Sequence, residues 1–469
     1  MSGDTALHFL TIAEASRLIR DRRLSPVDLT QAFLARIRQF DPRLNSTILV
    51  LEDQALADAH RAGAEIAAGA WRGPLHGIPI GLKDIYNTAG ISTTAHSALF
   101  RDHVPAEDAT TVRKLRAAGA VVLAKMATHE FATGGPSFDL PWPPARNPWD
   151  LDRSPGGSSS GSAAAIAAGL CMGATGTDTG GSIRIPAAMC GVAGHKPTYG
   201  LVSRRGILPL SFSLDHGGPI CWTAEDCALM LDAMAGYDPA DPGSADSPVG
   251  GFAAALDGDL AGLRIGVVRH FHETDVRADA DMVAAFDAAL PVFRDLGATV
   301  DDVTLAPLAE YNDVFHVICR SEAYAIHERY LQTTPELYGE FGRRRLAAGA
   351  MLRASDYVNA MRHRTTLVTR LADTMTRFDA LITPGWHALA PRLDDTAVVA
   401  PPNYTVPFNI TGSPALTVGN GLSASGLPLS IQIAGRPFED GLVLKIGDAF
   451  EKATTSRAIR PPFALSPME

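Results

Sequence analysis

Two serine-rich turns stand 24 residues apart, Pro155-Gly156-Gly157-Ser158-Ser159-Ser160 and Thr179-Gly180-Gly181-Ser182. A serine hydroxyl is a poor nucleophile until a base takes its proton. Ser182 follows two glycines, whose conformational freedom lets several backbone N–H groups face one point. Donors from Thr179, Gly180, Gly181 and Ser182 itself would then form an oxyanion hole, stabilising the charge that develops on an attacked carbonyl oxygen. Ser158, on its own glycine-rich turn, is the natural relay to that hydroxyl. The base is not a histidine of either cluster, since neither contains one. His195 is close in sequence, but Gly194-His195-Lys196-Pro197 reads as a turn. A neutral lysine does the same work when burial lowers its pKa. The chain has six lysines, Lys83, Lys114, Lys125, Lys196, Lys445 and Lys452. Lys83 is the best placed, because it ends the strand-length apolar run Ile78–Leu82. On that segment alone, a lysine reaching out to solvent at the strand edge is an equal reading.

Other motifs fail on their context. Gly157-Ser158-Ser159-Ser160-Gly161 matches G-x-S-x-G, but Asn147–Pro155 before it cannot form the buried strand that this nucleophile elbow requires. His129-Glu130 begins an HExxH, and Thr133 stands where the second histidine belongs. His270-Phe271-His272 has no acid or cysteine set at metal spacing. The Thr179–Ser182 turn could hold a phosphate at a helix start, but no lysine follows it. No serine lies three residues before any lysine. The expectation is therefore no metal and no cofactor.

The elements around these turns alternate between strand and helix. Residues 8–40 read as two amphipathic helices, the second started by Ser25-Pro26-Val27-Asp28: a cap, a proline at the first position and an acid in the first turn. They read as a surface-lying arm. Ser46–Val50 is a short strand and Glu52–Ala68 a helix. Ala106–Ala118 is a helix feeding the strand Ala120–Ala124. The small residues Gly161–Ala168 suit a helix packed at short range, and the apolar run that follows excludes a flexible Gly/Ser linker. Ile183–Met189 reads as a helix with Pro186 early in it. Further on come helix Ala224–Ala235, a loop over Asp238–Gly250, strand Leu263–Val268, helix Asp279–Leu296 and strand Ala298–Val303. Residues 306–375 read as a helical excursion beside the sheet. Strands Ala380–Thr383, Ala415–Val418 and Leu429–Ala434 and helix Gly441–Ala453 close the chain. The pattern predicts a layered α/β sheet covered on both faces.

Composition narrows the class. A hydrophobic content of 46% with 20% charged residues is that of a globular chain with a large core. A formal charge of −10, spread along the chain, argues against nucleic acid and anionic membrane surfaces as partners. Five cysteines with no CxxC pair read as buried free thiols in a reducing compartment. No signal peptide and no run of about 18 apolar residues is seen, so a cytoplasmic location is expected.

Three separate segments, GIPIGLKD (Gly77–Asp84), GSSSGS (Gly157–Ser162) and GTDTGGSIRIPA (Gly176–Ala187), resemble the amidase signature family, and the likeness runs from about Ile12 to the C-terminal helix. The resemblance implies a Ser–cisSer–Lys triad with Lys83 as base, Ser158 as bridging serine after a cis Gly157–Ser158 bond, and Ser182 as nucleophile. It implies an acyl-enzyme intermediate and a single α/β/α layered domain around a large mixed, twisted sheet. That overrides the two or three domains that 469 residues would suggest. Residues 1–60 would be the N-terminal arm and residues 61–469 the catalytic core. Asp178 and Arg184 would hold the nucleophile turn, a surface ion pair being the alternative.

Among relatives, the central stretch looks closest to bacterial amidases and to the glutaminase component of tRNA-dependent amidotransferases. In that component, an arginine and an acid hold free glutamine. Arg344 or Arg345 matches the arginine, but Pro401-Pro402-Asn403-Tyr404, before Thr405-Val406-Pro407, offers no acid. A buried ammonium without a counter-charge is costly, so a stand-alone amidase acting on a small amide, urea or carbamate is the better reading. The alternatives are a glutaminase subunit of such an amidotransferase and a non-catalytic binding module, and a homodimer is left open. Gly134, Gly135 and Ser137, with Phe138, Trp142 and Tyr404, are candidates for lining the substrate pocket. Core packing is an equal reading for each aromatic.

Overall fold

The computed structural model describes residues 6–395 and 402–465. Its strands are β1 (Thr47–Val50), β2 (Pro79–Lys83), β3 (Val121–Met126), β4 (Gly173–Asp178), β5 (Ala193–Lys196), β6 (His216–Cys221), β7 (Arg264–Val267), β8 (Thr299–Asp302), β9 (Ala380–Pro384), β10 (Ala415–Leu422) and β11 (Pro428–Gly435). They form one mixed sheet in the order β1-β3-β2-β4-β6-β5-β10-β11-β9-β7-β8. Every residue of β2 to β6 is buried, as expected of strands with both faces covered by helices. The α/β expectation holds.

The direction of three strands assembles the site. β2 runs parallel to β3 on one side and to β4 on the other. Their C-terminal ends therefore lie along one edge of the sheet. That edge is where ligands bind in open α/β sheets. It gathers Lys83 from β2, the His129–Gly134 turn after β3 and the Thr179–Ser182 turn after β4.

Between β3 and β4 the chain forms the helix Ser160–Ala167, buried at every position. Its small residues are needed for close approach. A Cβ on Gly161 would lie 2.2 Å from the Ser46 carbonyl oxygen and 2.5 Å from the Ala127 nitrogen. Arg36 reaches the other end of this helix, donating to the Ala168 oxygen at 3.0 Å and the Gly169 oxygen at 3.1 Å. A cation on the last carbonyls of a helix satisfies acceptors that have no partner within it.

The two N-terminal helices, Ile12–Arg20 and Pro26–Leu44, sink an apolar stripe (Ile12, Ile19, Phe33, Ile37, Phe40) into the same core as the strands. Their other faces carry the charge, which is what reads as a surface-lying arm. One sequence expectation changes, and two strands appear that the sequence reading did not name. Gly194-His195-Lys196, read as a turn, is the buried strand β5 between β6 and β10. GATGTD and HGGPIC are strands despite two or more glycines or prolines each, because neighbouring strands and tight packing decide there over intrinsic propensity. Among the described residues all five cysteines are free, and no helix is long and apolar enough to cross a membrane.

Candidate active site

Lys83 is fully buried at the end of β2. Its Nζ lies 2.8 Å from Ser158 Oγ, 2.8 Å from Thr177 Oγ1 and 3.0 Å from Ser159 Oγ. The strand-edge, solvent-reaching alternative is thus excluded. Burial pushes the amine down to about 7, against the pull of the Asp178 and Asp215 charges, which favour the ammonium. An appreciable fraction is neutral near pH 7. A neutral amine has two N–H groups and one lone pair, so one of the three hydroxyls must donate to it. Ser159 already gives its proton towards the Thr177 carbonyl oxygen at 3.3 Å and accepts the Thr177 N–H at 3.2 Å. Ser158 Oγ and Thr177 Oγ1 each have Lys83 as their one side-chain partner among the described residues, and of the two only Ser158 lines the cavity that also holds Ser182.

Ser158 enters through a cis Gly157–Ser158 peptide bond. The His129 ring packs on Gly157, where a Cβ would lie 2.1 Å from Cε1. His129 itself is held neutral, pushed down to about 3 by burial and by the nearby Lys83.

The Thr179–Ser182 turn is fixed by a buried charge network. Asp178 accepts from the Gly181 N–H at 2.7 Å and the Ile183 N–H at 3.2 Å, and from Arg184 at 2.9 and 3.0 Å. Arg184 also donates to Thr405 O, Gln432 Oε1 and Asn409 Oδ1. Both ion-pair partners are completely shielded from solvent, so the surface-pair alternative does not apply. Burial alone would raise the Asp178 carboxyl, but the Arg184 guanidinium outweighs it and holds the group well below the usual carboxylate range. Arg184→Met leaves that charge buried and unpaired. It is expected to cost about 3–5 kcal/mol, read as a lower denaturation midpoint in urea.

Gly181 has φ +125°, and a Cβ there would stand 2.2 Å from Thr405 Oγ1, so no other residue fits. Because its N–H is engaged by Asp178, Gly181 is not a free donor in this structure. The N–H groups of Thr179, Gly180 and Ser182 make no hydrogen bond among the described residues.

Ser158, Thr179, Gly180 and Ser182 open on one cavity of about 200 Å³. Ser182 is half-buried, and its hydroxyl makes no side-chain hydrogen bond among the described residues. Gly134 lines this cavity. Gly135 and Ser137 do not; they face a separate small pocket beside His96 and Glu130. Tyr404 is wholly buried, donates to the Val276 oxygen and stacks on Phe271, so it belongs to the core. Phe138 is exposed, and Trp142 packs on His96 away from the serines. Of the two candidate arginines, Arg345 faces the cavity, while Arg344 is exposed and paired with Glu340. Asn403 lines the cavity, whereas Pro401 lies outside the described residues. A larger cavity of about 500 Å³ shares the Ala132 and Leu210 walls and reaches Thr177 but holds neither Ser158 nor Ser182.

The helix Leu308–Thr333 forms the facing wall through Asn312, Phe315, His316, Cys319, Arg320 and Ala323. No motif marks these residues. Their spacing of three and four does place them on one helix face, the one signal by which they could have been grouped.

The sheet thus sets a buried lysine against the first serine turn and brings Ser158 and Ser182 to one cavity. The amidase family pattern matches residues 28–444. The chain is 41% identical to an amidase from Pseudomonas putida, over 96% of this chain and 97% of that one. It is 39% identical to the glutamyl-tRNA(Gln) amidotransferase A subunit of Geobacter metallireducens, over 95% and 97%. Its structure superposes on native peptide amidase from Stenotrophomonas maltophilia with a TM-score of 0.85 at 34% identity, covering 96% of this chain and 98% of that one. The chain belongs to the amidase signature family and is an amidase enzyme.

Proposed function

We propose that this amidase hydrolyses a small-molecule carboxylic amide through Lys83, Ser158 and Ser182. The observation that carries the reading is a fully buried amine, lowered to about 7, at 2.8 Å from Ser158 Oγ, with Ser158 itself lining the cavity that also holds Ser182. Neutral Lys83 takes a proton from Ser158 as Ser158 takes one from Ser182. Ser182 Oγ attacks the amide carbon, and the oxyanion rests on the N–H groups of Thr179, Gly180 and Ser182. The proton returns through Ser158 to the leaving nitrogen, the C–N bond breaks, and an ester on Ser182 remains. Water attacks that ester with the same relay acting as base, releasing the acid. Aryl amides, ureas and carbamates can follow the same course.

The test is capture of the ester. Rapid acid quench during turnover of an aryl amide should leave a peptide spanning Ser182 heavier by the acyl group. A label on Ser158 or Ser159 instead, or no label during a measured burst, would overturn the assignment.

A glutaminase subunit is the second reading, favoured by the likeness to amidotransferase A subunits. Against it stands Asn403, whose Oδ1 is bonded to Thr405 and Val406 N–H groups, at the turn where that reading needs an acid. Glutaminase activity together with co-purification of a partner chain would favour it. A non-catalytic role would leave a desolvated lysine and its two serines without a purpose. A cytoplasmic location is in keeping with five unpaired cysteines.

A further inference from the structure

Glu130 belongs to the turn after β3 but does not itself line the cavity that holds Ser158 and Ser182. Its neighbours His129, Ala132, Thr133 and Gly134 do, and Glu130 is buried behind them. Among the described residues no cation pairs with it. Its carboxylate accepts from Ser97 Oγ at 2.6 Å and from the Gly339 N–H at 3.1 Å. Gly339 precedes the helix Glu340–Ala347, which supplies Arg345 and Leu346 to the helical wall of the same cavity. The fit is close. A Cβ on Gly342 would lie 2.5 Å from Glu130 Oε2, and one on Gly134 would lie 2.9 Å from the Phe341 ring. The first turn of that helix therefore rests directly on the turn that carries Glu130.

The turn is also strained. Phe131 and Ala132 have φ of +46° and +59°, and Ala95 and His96, in the adjoining turn, +52° and +58°. Residues with a Cβ enter this left-handed region at a cost, and hold it only where the surroundings over-determine it. Two hydrogen bonds join the strained pairs: the Phe131 N–H donates to the Ala95 oxygen at 3.0 Å, and Ser97 Oγ donates to Glu130. Burial, with a smaller push from Asp139, raises the Glu130 carboxyl to about 7 and outweighs both of its donors. A group buried at such a cost adds little stability; what it supplies is a fixed connection. We propose that Glu130 is a positioning residue whose carboxylate ties the strained turn to the helix Glu340–Ala347 and so sets the spacing of the cavity walls about the amide. This rests on the proposed function only in placing the amide in that cavity.

Glu130→Ala cuts the tie. On the anilides acetanilide, butyranilide and 4-phenylbutyranilide, kcat/KM should fall about tenfold to a hundredfold, the scale of a misplacement near 1 Å. Most of the loss should lie in KM, which does not depend on the folded fraction. Glu130→Gln should restore it, since its amide oxygen can accept from Gly339 and its N–H can reach Ser97 Oγ. Gly342→Ala should drive the carboxylate off Gly339 and raise KM in the same way, although alanine favours the helix; it carries the test if Glu130→Ala does not fold. The control is Asp139→Ala. Exposed Asp139 accepts the Glu340 N–H at 2.8 Å, capping the same helix from a loop that does not line the cavity. Its loss should lower the denaturation midpoint and leave KM alone. Hydrogen exchange reads the tie without substrate: Glu130→Ala should speed exchange over residues 130–134 and 339–346, and Glu130→Gln should not. Unchanged KM or unchanged exchange in Glu130→Ala, no rescue by Glu130→Gln, or an equal KM shift in Asp139→Ala would each overturn the inference. If exchange responds while the wild type cleaves no amide at all, the tie stands and the hydrolytic reading fails.

Discussion

Ser182→Ala is expected to remove about five to six orders of magnitude from kcat on any amide the wild type cleaves, the scale seen when a serine nucleophile is deleted. The loss is chemical and not structural. Ser182 is half-buried and its hydroxyl holds nothing in place, while the turn itself is fastened by Asp178 through the Gly181 and Ile183 N–H groups. The thermal midpoint of the variant should therefore stay close to that of wild type, and substrate affinity should survive. A variant that keeps kcat within tenfold would mean that another group attacks, and the whole scheme would have to be redrawn around Ser158 or Ser159.

The second large effect is at Lys83. Replacing it by methionine removes the proton acceptor and should lower kcat/KM by about a thousandfold to ten-thousandfold, the upper part of the range for general-base catalysis. The pH profile distinguishes this from a loss of shape. In the wild type, activity should fall about tenfold per pH unit below about pH 7, as the amine gains a proton and can no longer accept one. Whatever activity Lys83→Met retains should lack that acid limb. Stability carries the same signature with a definite sign. The unfolded amine titrates near 10.5 and the folded one near 7, so between these values the unfolded chain binds more protons. Stability from this group accordingly rises with pH across that window and is flat below it. A Lys83→Met variant whose denaturation midpoint keeps the same slope from pH 7 to pH 10 would show that the amine is not desolvated.

The candidate residues were legible in the sequence because they sit in local patterns. A lysine ending an apolar run, two glycine-bracketed serine turns and a scarcity of alternative lysines single out Lys83, Ser158 and Ser182 as candidates, and the family resemblance supplies their proposed roles. Scarcity had limits as a guide: Lys125 and Lys196 are buried as completely as Lys83. What separates them is company. Lys125 is answered by Asp84 at 3.2 Å and by carbonyl and threonine oxygens, and Lys196 meets the Pro197 oxygen, whereas Lys83 faces hydroxyls. No spacing rule reports that. The strands GATGTD and HGGPIC were missed for a related reason, since glycine weakens the local signal in the places where a close-packed centre requires it. The pocket was least legible. Its facing wall is one side of a helix more than 120 residues after Ser182, and its members carry no shared chemistry, only a shared direction. Tyr404, Gly135 and Ser137 were chosen by nearness to turns, and the fold points all three elsewhere.

That far wall has an implication for how such a catalyst diversifies. The proposed bond-breaking residues fall within residues 83–184, and the surface opposite them is supplied by residues 312–346 from a separate stretch of chain. Mutation can remodel the second without disturbing the first. Exchanging the 306–375 segment between homologues should transplant selectivity as a module, leaving the reaction itself in the recipient.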